Sequence, residues 1–111
     1  VDLFIASWVA DYPDAQNYLS LFYSKNFTPN GPNYTHFKNI EFDVLYEKSI
    51  SIVNSSERFY LYQKMDSILI EEAPVIPLYY DQVIRFSQKN IRGLGINPLD
   101  MLDLRTVIKV Q

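Results

Sequence analysis

The sequence has no cysteine, only 3 glycines and a single histidine among its 111 residues. Without cysteine, a disulfide framework and a thiolate metal site are both excluded. Few glycines and a hydrophobic share of 48% argue against a disordered chain. No apolar run approaches the roughly 18 residues that a membrane-spanning helix requires. The composition therefore predicts a folded chain without a disulfide or a thiolate site.

Positive charge is scarce as well. The chain has 10 Lys and Arg against 13 Asp and Glu, a net charge of −3 and an isoelectric point near 5.0. Proteins that bind nucleic acid neutralise its phosphates with clustered Lys and Arg. The charge balance therefore argues against nucleic acid as a partner.

The motifs of the common enzyme classes are missing. There is no serine nucleophile elbow, no glycine-rich phosphate loop and no HExxH pair. His36 has no second ligand at metal spacing, so we expect neither a metal nor a cofactor. Asp11 and Asp14 could be imagined as a glycosidase pair, but Asp14 is better explained as a helix cap. An enzyme is therefore the least favoured class.

Aromatic residues, in contrast, are abundant, with 9 Tyr, 7 Phe and 1 Trp. Tyrosine suits both a core with a wet edge and a recognition surface, because its ring is apolar and its hydroxyl is polar. Most of these rings are expected to pack in the core and at its rim. The alternative is a protein-interaction domain with a Tyr-rich surface, which exposed rings on one flat patch would favour.

The opening of the chain carries the strongest pattern. Residues 3–10 are apolar almost without interruption, and the run ends abruptly at Asp11. Such a run predicts a strand buried on both faces, and ligands of α/β proteins usually lie at the carboxyl ends of strands. Asp11 is then a counter-ion for a ligand's ammonium group, with Trp8 as an apolar wall that strengthens the pairing. The alternative is an Asp that makes a turn before Pro13.

Helical spacing follows this strand. Asp14 is the predicted N-cap of the first helix, and Asn54 with Glu57 has capping-box spacing for the third. A turn-rich loop over 25–40 precedes the second helix. The helices are predicted over 15–23, 41–53 and 56–73, and extended segments over 75–80, 83–87 and 104–110. This order predicts an α/β domain, with α+β as the alternative: a single domain over 1–111 with a mixed sheet and three helices.

Four motifs follow one another along the chain: Trp8-x-Ala10-Asp11-Tyr12-Pro13-Asp14, Phe42-Asp43, Arg58-x-x-x-Tyr62 and Glu72-Ala73-Pro74-x-Ile76-Pro77-Leu78-Tyr79-Tyr80. In order and spacing they closely resemble the C-terminal portion of the oligopeptide/dipeptide-binding proteins. These are the extracytoplasmic solute-binding proteins of ABC-type peptide importers. The chain starts at Val1 inside an apolar run, without an initiator Met or a signal peptide, so we expect a fragment of a longer protein.

The resemblance implies a two-lobe periplasmic-binding-protein fold that closes over extended peptides, of which this chain would be the C-terminal part. It implies that Asp11 pairs with the peptide's free α-amino group and that Trp8 lies near the bound peptide. The backbone of Ser7 to Val9 would add β-type hydrogen bonds to the peptide main chain. The expected ligand-binding residues are therefore Asp11, Trp8, Val9 and Ser7.

The resemblance also sets the expected partners and location. It implies a peptide ligand, the membrane subunits of an ABC permease, and a periplasmic or cell-surface location with a lipid anchor or other membrane association. Relatives with this fold bind nickel chelates, sugars or opines, which leaves the substrate class open. Arg58 and Asp43 match positions that look structural, and an ion pair is expected there. Exposed apolar edges predict that the fragment self-associates.

Overall fold

The computed structural model describes residues 3–97, 99 and 101–111. Its chain divides into two compact units, Val1–Pro77 and Leu78–Gln111. The first unit contains the helices and the second contains the strands. The structure is thus of the mixed α/β type, while the single domain over 1–111 stays a prediction.

Three α-helices form among the described residues of the first unit: α1 spans Gln16–Leu19, α2 spans Ile40–Ser51 and α3 spans Ser55–Glu72. The side chain of Asn39 caps α2 by accepting the Phe42 N–H at 2.9 Å. The predicted cap of α3 is confirmed, because the Asn54 side chain accepts the Glu57 N–H at 3.2 Å. Ala73 ends α3 in the left-handed region, directly before Pro74.

The first helix is shorter than the predicted 15–23. After α1 the chain continues as two 3₁₀ turns, Ser20–Phe22 and Ser24–Asn26, separated by Tyr23 in an extended conformation. The fully buried Asn33 side chain donates to the Tyr23 carbonyl oxygen at 3.1 Å. The same carbonyl oxygen accepts the Asn26 N–H at 3.0 Å, so it belongs to the second 3₁₀ turn and the first helix does not continue through Tyr23.

The core of the first unit forms where α2 and α3 pack together and the segment after α1 joins them. Phe42 and Met65, one from each long helix, are completely buried. The ring of Phe42 meets that of Phe37 edge-on at 5.7 Å, and Tyr23 stacks on Tyr46 at 4.6 Å. The buried cluster comprises Leu19, Phe37, Phe42, Tyr46, Tyr62, Met65 and Leu69.

The prediction of a buried strand over 3–10 is wrong. This segment has no regular secondary structure, and most of its apolar side chains are exposed, Ile5 to 88% and Val9 to 75%. A strand requires a neighbour whose N–H and C=O groups complete its hydrogen-bond ladder. No part of the chain that the structure describes pairs with 3–10. The residues have strand composition without a partner strand.

Where the structure describes it, the second unit contains one antiparallel pair of short strands, β1 over Ile91–Arg92 and β2 over Ile108–Lys109. Ile91 lies opposite Lys109, and Arg92 lies opposite Ile108. The predicted strand over 104–110 therefore forms only at its end, and 75–80 and 83–87 have no strand pairing. The expected mixed sheet is thus a two-stranded sheet in the described residues. Within 3–97, 99 and 101–111, no helix has the length and apolar character needed to cross a membrane.

Candidate functional site

Asp11 and Asp14, which lie three residues apart before α1, differ in their surroundings. Asp14 accepts hydrogen bonds from the Gln16 N–H at 2.9 Å, from the Tyr62 hydroxyl at 2.9 Å and from the Arg58 guanidinium. Arg58 also donates to the Tyr62 oxygen at 2.6 Å. Asp14 does act on the first helical turn, as predicted, but Ala15 rather than Asp14 is the N-cap residue. The Asp14 carboxylate therefore has a structural role, because protein donors engage both of its oxygens.

The electrostatics of Asp14 follow from these contacts. Burial raises the pKa of its carboxyl, but the hydrogen bonds from Gln16, Tyr62 and Arg58 outweigh burial and hold the pKa below the usual 3.8. Burial also raises the pKa of the Tyr62 hydroxyl above its usual 10.0 despite the hydrogen bond from Arg58. At neutral pH the cluster therefore consists of a carboxylate, a guanidinium and a neutral phenol.

The expected ion pair between Arg58 and Asp43 does not form. Arg58 pairs with Asp14 instead. Asp43 accepts the Ser24 N–H at 3.1 Å and the Ser24 hydroxyl at 2.6 Å. Asp43 therefore holds the second 3₁₀ turn, as a structural residue without an arginine partner.

Asp11 lies in a more open environment. It is exposed, and its one hydrogen-bond partner among the described residues is the side-chain amide of Asn17, which approaches the Asp11 carboxylate at 3.4 Å. A contact of that length is at the weak end of the hydrogen-bond range. Most of the acceptor capacity of the Asp11 carboxylate is therefore open to a ligand.

Asn17 also contacts the residue expected beside Asp11. The Trp8 indole Nε1 donates to the Asn17 Oδ1 at 2.6 Å. Asn17 is almost fully buried in α1, and Trp8 is half-buried. Because the indole nitrogen can only donate, it must face the amide oxygen of Asn17, and the amide nitrogen then faces the carboxylate. The structure thus links Trp8 and Asp11 through one side chain.

Ser7 and Val9, the other two expected site residues, are both exposed. Their backbone groups make no hydrogen bond within the described part of the chain. A depression of about 150 Å³ lies nearby in sequence, lined by Pro13, Asp14, Ala15, Ser55, Arg58, Phe59 and Tyr62. Neither Asp11 nor Trp8 lines this depression. Asp11, where a ligand was expected to bind, therefore lies on the surface outside it.

Sequence reasoning missed Asn17. Its only signal is an amide between Gln16 and Tyr18, early in a short helix, and no motif marks that position.

His36 lies in the loop as expected, where its ring stacks on Phe27 at 4.8 Å and bonds to the Thr28 hydroxyl at 2.9 Å. Residues 3–97, 99 and 101–111 contain no group of three or more His, Asp or Glu side chains that could hold a metal ion.

Comparison with known proteins finds several relatives that are named as binding proteins. It is 33% identical to a probable deoxycholate-binding periplasmic protein of Escherichia coli over 85% of the chain. It is 29% identical to a dipeptide-binding protein of Bacillus subtilis over 90% of the chain, and 31% identical to a di/tripeptide-binding protein of Pseudomonas aeruginosa over 88%. The chain spans 17–18% of the length of these three relatives.

These relatives confirm the resemblance predicted from the sequence. The chain is related, over most of its length, to the oligopeptide/dipeptide-binding family of periplasmic proteins. No protein-family model matches the chain, and no solved structure matches it.

Proposed function

We propose that this chain is part of the substrate-binding component of an ABC-type importer that binds oligopeptides or dipeptides outside the cytoplasmic membrane. The relatives are named as binding or transport proteins, which supports a binding role rather than catalysis. Several of the names contain the word peptide or the word periplasmic. In this proposal the peptide's free α-amino group binds Asp11, and Trp8 contacts the adjoining part of the peptide.

The observation that carries the proposal is the difference between Asp11 and Asp14. Asp14 has an arginine, a phenol and a backbone N–H as partners, whereas Asp11 has one long contact to an amide. The ammonium group of a ligand would give the Asp11 carboxylate a positively charged partner with several hydrogen-bond donors. Trp8 and Asp11 share Asn17 as a partner, so in this proposal the indole ring lies beside the ligand's ammonium group, limits water there and strengthens the attraction. Asp11 is thus suited to a cationic ligand group and Asp14 is not.

The backbone around Val9 supplies the second part of the proposal. Ser7 and Val9 are exposed in a segment of strand-like composition whose backbone is unpaired within the described residues. An extended peptide can add to such a segment by main-chain hydrogen bonds, which leave its side chains free to vary. This mode of binding suits a protein that accepts peptides of many sequences.

The remaining parts of the proposal follow the family resemblance. The chain is proposed to be the C-terminal part of a two-lobe fold, and the complete protein to dock on permease subunits at the membrane, held there by a lipid anchor.

Taken alone, the chain exposes large apolar side chains, among them Tyr80 at 94% and Phe86 at 95%. We therefore expect the 111-residue chain to self-associate. Light scattering that finds only monomer at high concentration would contradict this.

A second candidate ligand comes from the E. coli relative, whose name specifies deoxycholate. Deoxycholate is a carboxylate with a large apolar body, so it could pack against Trp8. However, its negative charge would meet the Asp11 carboxylate, and like charges repel. The charge at Asp11 therefore favours an amine-bearing ligand.

Isothermal titration of the intact protein with three probes tests the proposal. The probes are an alanine tripeptide, the same tripeptide with an acetylated amino group, and deoxycholate. We expect the free tripeptide to bind and the acetylated one to bind far more weakly, because acetylation removes the ammonium charge. Equal binding of the two tripeptides, or binding of deoxycholate alone, would contradict the proposal.

A further inference from the structure

Asn17 occupies the centre of the candidate site without having been expected there. It is 3% exposed, and its side chain joins two groups that lie on the preceding segment. Its oxygen accepts the Trp8 indole N–H at 2.6 Å, and its nitrogen faces the Asp11 carboxylate at 3.4 Å. A buried amide with a donor-only partner on one side and an acceptor-only partner on the other has a fixed orientation.

The backbone of Asn17 is also held by hydrogen bonds. The Ser20 hydroxyl donates to the Asn17 carbonyl oxygen at 2.7 Å, and the Asn17 N–H bonds to the Asp14 carbonyl oxygen at 3.1 Å. Asp14 is itself held by Arg58 of α3. The Asn17 side chain therefore projects from a held backbone, whereas Trp8 and Asp11 belong to a segment without regular structure.

We propose that Asn17 is the positioning residue of this site, which sets the separation of the Trp8 ring and the Asp11 carboxylate through the two ends of one amide. This inference rests on the proposed function, in which Asp11 receives a ligand ammonium group. Asn17 does not contact the ligand in this account. Asn17 holds the Trp8 ring and the Asp11 carboxylate at a fixed distance from each other before the ligand binds. Less binding free energy is then lost, because the ligand does not have to order these two groups.

Asn17→Leu in the intact protein tests this, because leucine fills a similar space and can make neither hydrogen bond. Two readouts are needed: the indole N–H resonance of Trp8, assigned by its loss in Trp8→Phe, and titration with the dipeptide alanylalanine and its N-acetylated form. We expect the indole resonance to move and the affinity for free alanylalanine to fall roughly tenfold, the weak end of what a hydrogen bond to a charged group contributes. The acetylated dipeptide should lose much less.

Asn39→Leu is the matched control. The Asn39 side chain accepts the Phe42 N–H at 2.9 Å, so its loss also removes a side-chain hydrogen bond in the first unit. It should leave the Trp8 resonance and the preference for the free amine unchanged. If Asn17→Leu folds and leaves either readout at its wild-type value, the positioning role is overturned.

Asn17→Asp keeps the test decisive if the leucine variant does not fold. It retains an oxygen for the indole and places a second carboxylate beside Asp11. Two close carboxylates do not both ionise readily, so we expect an unmoved Trp8 resonance and a dipeptide affinity that depends more strongly on pH between 7 and 5. A pH profile identical to wild type would overturn the inference. If Asp11→Asn also fails to change amine binding, the proposed function itself is at fault; if only the Asn17 variants are silent, the inference alone fails.

Discussion

Arg58, in the first turns of α3, donates to the carboxylate of Asp14, which precedes it by 44 residues. Tyr62, one turn further along the same helix, donates to the other oxygen of that carboxylate at 2.9 Å. The contact connects the beginning of the chain to its longest helix. It also keeps Asp14 engaged, so that of Asp11 and Asp14 only Asp11 has a carboxylate that is largely open.

The first prediction concerns the stability that Asp14 contributes. Asp14→Asn keeps the size of the side chain and removes the charge that faces Arg58. We expect the free energy of unfolding to fall by about 1–2 kcal/mol, the scale of a partly buried hydrogen bond to a charged group. Urea unfolding followed by circular dichroism measures this. Asp66→Asn, at an exposed position of α3, is the control and should have almost no effect.

The second prediction concerns the pH dependence of that contribution. Hydrogen bonds hold the pKa of Asp14 below the 3.8 of a free side chain, although burial acts in the opposite direction. Between the two values the unfolded chain binds more protons than the folded one, so stability rises with pH. The contribution of Asp14 is therefore fully present above pH 3.8 and is lost as the pH falls through the lower, folded value.

Urea unfolding of the wild type and Asp14→Asn from pH 2 to pH 6 measures this contribution. The difference in unfolding free energy between them should be constant at the upper end of the range and shrink below pH 3.8. A difference that stays constant down to pH 2 would show that the Asp14 pKa is the same in the folded and unfolded chains.

The third prediction concerns the turn that follows β1. Gly93 has a φ of 79°, and a Cβ at this position would lie 2.1 Å from the Thr106 carbonyl oxygen. Gly93→Ala should therefore destabilise the pairing of β1 with β2 by about 1 kcal/mol or more. Amide exchange at Val110, whose N–H bonds to the Asn90 carbonyl oxygen at 2.8 Å, should become faster. Gly95→Ala is the control, because a Cβ there meets no atom within 4 Å; equal exchange rates in the two variants would refute the steric argument.

The fold was predictable where the determining interactions are local. Helices α2 and α3 follow from apolar residues at helical spacing, and the Asn54 cap from a side chain three residues before the N–H it accepts. Even there, Phe59 lies at helical spacing from the buried Tyr62 but is itself 60% exposed. Periodicity locates the apolar face of a helix, but the neighbouring elements decide how wide a stripe is covered.

The prediction was wrong where the answer depends on distant residues. The composition of residues 3–10 is that of a buried strand, but strand pairing requires a partner, and composition does not show where that partner lies. Arg58 was expected to pair with Asp43, and tertiary packing brings Asp14 to it instead. Asn17 was missed for a different reason, because its two contacts, across chain separations of 6 and 9 residues, follow no motif or helical period.

The central claim is that Asp11 binds a ligand ammonium group, and titration of Asp11→Asn in the intact protein tests it most directly. With a tripeptide that has a free amino group and covers Asp11 when bound, the substitution should cost about 2–5 kcal/mol of binding free energy, as expected for removing one partner of a desolvated charge pair. The N-acetylated tripeptide should lose little, and Asp66→Asn should bind both probes as the wild type does. If Asp11→Asn binds the free-amino tripeptide as tightly as the wild type, Asp11 is not the ammonium site and the account is wrong.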